Sequence, residues 1–265
     1  MAEENIQVKP EEQEVVTENK GRRVPFSVVE AYKTVRTNLS FLQSSSNSKS
    51  IAFTSPEVSD GKSTTSVNIA IAFAQLGEKT LLIDADLRRS SVHKKLRLEN
   101  SRGLSNVLAE MCSLEDAVIH TSASLDVLTA GQVPPNPSEL LSSPKFKELL
   151  EKAEKEYDHI VVDTPPINVV SDALIVGAAT NGIVLVVKEG YSTTDAVSHA
   201  ISAAKFAEIN ILGVVMNGVS ATSKKYGIGR YRKYSYKYGY GYGYGYGYGY
   251  GYGYGPQKES KDTKK

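Results

Sequence analysis

Cysteine is nearly absent. Cys112 is the single thiol in 265 residues, so an intrachain disulfide is excluded and a reducing compartment fits. Long apolar runs are missing too, and none approaches the roughly 20 residues that cross a bilayer as a helix. The first residues are acidic and polar, unlike a secretory signal. The expectation is a cytoplasmic protein, or one held at the inner face of the membrane by a partner. The apolar share, 40%, is low for a wholly globular chain, and the two ends account for the deficit. Net charge is small as well, +1, but it hides an asymmetry. Residues 223–265 carry ten Lys and Arg against two acids, whereas the rest carries 21 against 28. The chain is therefore an acidic body (−7) with a basic tail (+8).

What is present centres on Thr54-Ser55-Pro56-Glu57-Val58-Ser59-Asp60-Gly61-Lys62-Ser63-Thr64. The apolar run Ile51-Ala52-Phe53 leads in, and Val67, Ile69, Ala70, Ile71, Phe73 and Ala74 follow in a helix-like pattern. Strand, polar loop, Gly-Lys-Ser and helix is the context of a phosphate-binding loop. Backbone N–H groups at the new helix's N-terminus face phosphate oxygens, and the helix dipole favours their charge. Asp60, Gly61, Lys62, Ser63 and Thr64 are the expected nucleotide contacts, with Lys62 on the outer phosphates and Ser63 on magnesium. The usual spacing has glycine at position 56, where this chain has proline. A Gly-Lys-Ser alone also fits a structural turn, so the flanking pattern carries the reading.

Two further strands end in acids. Lys79 to Ile83 closes in Asp84-Ala85-Asp86-Leu87-Arg88-Arg89, and Ile160-Val161-Val162 closes in Asp163-Thr164-Pro165-Pro166. The second is a Walker B pattern, an acid reaching magnesium from the end of a buried strand. Carboxylates at strand ends lie where open α/β sheets bind ligands. Strands at 51, 80, 160, 183 and 211 alternate with helices, which predicts a mostly parallel sheet covered on both faces. Leu125 to Leu128 adds a strand, Gly103 to Ala109 a short helix, and Lys62 to Leu76 the helix after the loop. Ser138 is the expected cap of a helix running, with a break near Pro144, to about Glu156. Asn217 ends the last strand. Another helix starts near Pro25, with Ser27 as N-cap and Glu30 completing a capping box. Glu30, Lys33 and Arg36 share one of its faces, which reads either as a solvated face with local ion pairs or as a subunit contact. Residues 1–24 read as a disordered tail, 25–222 as the domain and 223–265 as a second, basic tail.

That tail holds 13 of the 16 tyrosines, and Tyr238 to Gly255 is nine Tyr-Gly pairs. Alternating glycine opposes ordering, and no aliphatic core can form. An inert linker, an adhesive or nucleic-acid-binding segment using stacking, and a row of phosphoryl acceptors all fit this composition. The acceptors would be Tyr231, Tyr234, Tyr236, Tyr238, Tyr240, Tyr242, Tyr244, Tyr246, Tyr248, Tyr250, Tyr252 and Tyr254. Each phosphate adds about −1.5 to −2, so four or five would cancel the tail's positive charge.

Taken together these motifs resemble the bacterial P-loop tyrosine kinases of capsular and exopolysaccharide systems. The resemblance covers about residues 25–220 and includes Ala130-Gly131-Gln132-Val133-Pro134-Pro135-Asn136-Pro137 and Glu30-Ala31-Tyr32-Lys33-Thr34-Val35-Arg36. It implies ATP and Mg2+ as cofactors. It implies Lys62, Asp84 and Asp86 as catalytic residues, with Asp84 the base toward the tyrosine hydroxyl. Ser63, Asp86 and Asp163 become the metal residues, and Asn217 an adenine contact. It also implies a homo-oligomeric ring through Glu30, Lys33 and Arg36, a separate membrane-spanning activator, a cognate tyrosine phosphatase and no direct nucleic-acid partner. Two departures stand out. Lys33 replaces an arginine, giving a point charge in place of a bidentate fork, and Ser59 replaces a loop glycine. The His-Arg-Asp and Asp-Phe-Gly signatures of eukaryotic kinases are absent. A MinD/ParA-like positioning ATPase shares the loop, but usually carries an early loop lysine that is missing between Thr54 and Asp60. A non-enzymatic interaction protein acting through its tail is the other rival.

Overall fold

The computed structural model describes residues 24–46, 49–121 and 124–219. The expected N-terminal tail, apart from Val24, and every expected acceptor tyrosine lie outside the described residues. The strands are β1 (Ser50–Thr54), β2 (Thr80–Asp84), β3 (Ile119–His120), β4 (Leu125–Leu128), β5 (His159–Asp163), β6 (Ile183–Lys188) and β7 (Ile211–Asn217). They form one sheet in the order β3-β4-β2-β5-β1-β6-β7. Every pairing is parallel except that of the short edge strand β3 with β4. The helices are α1 (Phe26–Ser46), α2 (Lys62–Ala74), α3 (Val92–Leu96), α4 (Leu104–Leu108) and α5 (Leu114–Ala117), then α6 (Pro137–Ser142), α7 (Pro144–Glu156), α8 (Asp172–Ala179) and α9 (Thr194–Phe206).

The central strands are apolar on both sides because both faces are covered. Phe53, Leu82, Val161 and Val184 join one core with Val67, Ile71 and Phe73 of α2 and Leu39 of α1. Their neighbours Ala52, Leu81, Val162 and Leu185 join the opposite core with Phe146, Leu150 and Val176 from α7 and α8. This alternation is the period-2 pleat. It fixes register, since a one-residue slip would exchange the two cores. In the observed register Asp84 stands beside Asp163, and Phe53 beside Asp163. With β5 between β1 and β2, the loop after β1 lies next to the acidic end of β5 and one strand away from that of β2.

Three local expectations are corrected. α1 starts at Phe26, and the Val28 N–H donates to the Pro25 carbonyl at 2.9 Å, so Ser27 sits inside the first turn instead of capping it. α6 follows Asn136, and the Ser138 hydroxyl donates to Asp172 at 2.6 Å, a tertiary bond in place of the expected cap. α2 ends at Ala74, two residues early, and Gly77 follows in the left-handed region at φ 82°. The break before Pro144 occurs as expected.

Phe146 is fully enclosed in the second core, far along the chain from the phosphate loop. Phe146→Ala should lower unfolding stability by about 3–5 kcal/mol. Urea denaturation of the two proteins side by side measures this, and a midpoint within error of the parent would contradict the packing described.

Candidate active site

The loop between β1 and α2 is shaped by two residues in the left-handed region. Gly61 has φ 96°, and a Cβ there would lie 1.9 Å from Asn217 Nδ2, so only glycine fits. Ser59, at φ 70°, adopts the same region without glycine's freedom. The departure noted in the sequence is therefore real local strain of about 1 kcal/mol. Asp60 is enclosed and supports the loop with its side chain. It accepts the Glu57 N–H at 3.0 Å and the Ser192 hydroxyl at 2.7 Å. Asn217 Nδ2 donates to the Asp60 carbonyl at 2.9 Å, tying the end of β7 to the loop. The structure thus shows Asp60 and Asn217 bracing the loop, while Gly61, Lys62, Ser63 and Thr64 line a cleft of about 450 Å³.

Lys62 brings together residues that are far apart in the chain. Its ammonium lies 3.0 Å from Asp86 Oδ2, 3.6 Å from Asp163 Oδ2 and 3.1 Å from Ser63 Oγ. Burial works against that charge, but Asp163 and Asp86 outweigh it and hold the lysine above its ordinary pKa. Asp163 is fully enclosed, and burial raises its pKa. Its Oδ1 accepts the Ser66 hydroxyl at 3.1 Å, whereas Oδ2 has no hydrogen-bond partner. A buried oxygen of that kind, next to a serine hydroxyl, suits a hard cation. Among the described residues no group of three His, Cys, Asp or Glu side chains could hold a metal alone. Magnesium sites of phosphoryl transfer are commonly of this open kind, completed by substrate phosphates and water.

The two acids after β2 differ. Asp86 lines the cleft, with only 5% of its surface exposed. Asp84 lies beneath it, fully enclosed, accepting the N–H groups of Asp86 at 3.2 Å and of Ser91 and Val92 at 3.1 Å. Burial, then the neighbouring Asp163, push Asp84 up to about 7, against the Val92 N–H and Lys62. Arg88, which also lines the cleft, pairs through Nε with Asp172 at 2.8 Å and through Nη2 with Ser138 at 2.8 Å. Lys95 of α3 donates to Thr64 Oγ1 at 2.8 Å. Neither Asp172 nor Lys95 was singled out from the sequence as part of the site. Asp172 is the first residue of α8, and Lys95 sits in a helix too short to show periodicity.

On α1, Glu30 and Lys33 form an ion pair at 2.9 Å, and Arg36 donates to the Ala72 carbonyl of α2 at 3.2 Å. All three are half-buried within a single chain.

Asp84 binds its proton more tightly folded than unfolded. The stability it contributes is complete below its unfolded value near 4 and is lost as pH rises through about 7. Asp84→Asn should therefore flatten the fall in stability between pH 5 and pH 8. Thermal melts of nucleotide-free protein at both values test this, and an unaltered pH difference would overturn it.

A family model described as an AAA domain matches residues 48–209. Tyrosine-protein kinase YwqD of Bacillus subtilis (strain 168) is 43% identical over 211 residues, covering 76% of this chain and 89% of that protein. Tyrosine-protein kinase etk of Escherichia coli (strain K12) is 40% identical over 73% of this chain, which spans only 27% of that longer protein. The solved kinase domain of Escherichia coli tyrosine kinase ETK superposes with a TM-score of 0.72 at 36% identity, over 84% of this chain and 81% of that one. The septum site-determining protein MinD of Pyrococcus horikoshii, solved with Mg-ADP, superposes with a TM-score of 0.56 at 25% identity, over 65% of this chain and 72% of its own. The fold is thus shared with nucleotide-binding proteins of other function, but the sequence identity is not. The phosphate loop, its paired acids and relatives alike over most of their length place this chain in the family of bacterial tyrosine-protein kinases.

Proposed function

We propose that the chain transfers the γ-phosphoryl group of magnesium-ATP to tyrosines of its own C-terminal segment. The transfer runs in trans, between copies in a ring, and so tunes capsular or exopolysaccharide polymerisation or export. The observation that carries this reading is the Lys62 ammonium between Asp86 and Asp163 beside a phosphate loop, in a chain that also carries Tyr231 to Tyr254. Ser63 and Asp163, with Asp86 beside them, would hold magnesium, which would supply neutralisation of the phosphate charge. Lys62 turns from its carboxylates to the outer phosphates, and Asn217 borders the adenine end.

In the transfer, the tyrosine oxygen bonds to the γ-phosphorus as the bond to the ADP oxygen breaks. The hydroxyl proton goes to the Asp84–Asp86 pair. Asp84 has the proton affinity a base needs near neutral pH, and Asp86 has the position on the cleft. The residues act mainly by positioning and charge stabilisation. Glu30, Lys33 and Arg36 form the ring contact, with Arg36 sharing its guanidinium between Ala72 and a neighbouring copy. Among the described residues no helix is long and apolar enough to cross a membrane. A membrane-spanning activator would then recruit the chain, and a tyrosine phosphatase would reset it.

Intact mass after incubation with magnesium-ATP tests the chemistry. The full chain should gain successive single phosphates, and Lys62→Ala and a chain ending at Thr222 should gain none. ADP release without added mass would instead favour a positioning ATPase. Replacing Glu30 and Arg36 together by alanine should give monomers by light scattering, with trans-phosphorylation reduced about tenfold or more through lost local concentration. An unchanged mass in solution would remove this face from the assembly.

A further inference from the structure

The cleft is lined by two unlike sets of side chains, the charged Lys62, Asp86 and Arg89 and the apolar Val58, Pro166 and Val169. Val169 is 60% exposed and Val58 46% exposed, yet both line this one cleft. Scattered exposed valines need no explanation, but two lining one cleft beside a phosphate loop do. The apolar set is also fixed in place. The Thr54 hydroxyl donates to the Pro165 carbonyl at 2.8 Å, and the Ile167 N–H to the Ser55 carbonyl at 2.9 Å. The Val169 N–H closes a turn onto the Pro166 carbonyl at 3.1 Å, and Asn168 Nδ2 donates to Ala196 of α9 at 2.9 Å. An apolar surface held this way costs little ordering when something binds it.

We propose that Val58, Pro166 and Val169 form the acceptor subsite, an apolar surface that seats the tyrosine ring and selects tyrosine over serine or threonine. This rests on the kinase reading above and names the part of the site that would choose the acceptor. A phenol ring is apolar along its faces and polar at its tip. Seated on these side chains, it would bring its hydroxyl into the cleft that Lys62 and Asp86 also line, where the γ-phosphate of a nucleotide would be met. A serine has no ring to seat there and would have to bring its backbone into the cleft. The occupant is a tyrosine of the Tyr238–Gly255 repeat from a second copy. That segment lies beyond Val219, the last described residue, and from Tyr240 to Tyr254 glycine on either side of each tyrosine leaves no neighbouring side chain to obstruct a narrow entry. The repeat itself is uncharged, but residues 223–265 as a whole carry +8 and are drawn to a cleft loaded with polyphosphate.

The test uses the full chain and a Val169→Ala variant, outside the phosphate loop, with a short Tyr-Gly repeat peptide as acceptor. Val169 is 60% exposed, so the variant keeps its fold, and its KM for ATP should stay within about twofold of the parent. The KM for the peptide should rise about three- to fivefold. An unchanged peptide KM would overturn the proposal, as would equal rises for peptide and ATP. A binding measurement separates this from the kinase reading. Titrating the Tyr-Gly peptide into the magnesium-nucleotide-loaded chain should shift the methyl resonances of Val58 and Val169 by ring current, and a Ser-Gly peptide should not. Methyl shifts without phosphorylation would support the subsite while the kinase reading failed. Phosphorylation with no methyl shift would do the reverse.

Discussion

One buried cation constrains the whole architecture: the Lys62 ammonium, enclosed between carboxylates from two different strands. Breaking such a pair by removing one partner leaves an uncompensated buried charge, a penalty of several kcal/mol. Lysine and acids must therefore arrive together. Parallel pairing of β5 with both β1 and β2 delivers them, by setting Asp84, Asp163 and the start of the loop at one level. The pleat then decides which neighbours face which core. The left-handed turn at Gly61 aims Lys62 back across the strand ends. The arrangement is unrelaxed, because Asp163 keeps an oxygen without a hydrogen bond and Asp84 is pushed toward neutrality. Free energy withheld from the resting site in this way is available when a ligand of the right charge enters.

The central strands were legible because a two-sided buried sheet writes itself as short, almost uninterrupted apolar runs. Ile160-Val161-Val162 and Leu81-Leu82-Ile83 have no other reading of that length between turns. The Gly-Lys-Ser and the strand-end acids were legible because phosphate chemistry demands particular residues at particular offsets. What escaped is what three-dimensional contact decides. β3 is two residues long and exists through its pairing with β4. α3 and α5, at five and four residues, complete too few turns for a period to emerge. Ser27 and Ser138 show the converse error. Both have the chemistry of a cap, but the chain enters α1 two residues earlier, and Ser138 is drawn to the fully buried Asp172. The distinction between Asp84 and Asp86 was likewise invisible in a motif that spells both as aspartate.

The fold by itself does not name the chemistry. A positioning protein such as MinD is built on the same sheet. What separates this chain is carried by sequence: extensive identity to tyrosine-protein kinases, no lysine early in the loop, and tyrosines massed beyond the domain.

The brace between Asn217 and the phosphate loop has a mechanical meaning. Parallel strands all finish at one pole of the sheet, and β7 finishes there with its last side chain hooked on the Asp60 carbonyl. The turn at Gly61 and the last residue of β7 are therefore mechanically one joint: a displacement of the edge strand is felt directly at the phosphate cradle.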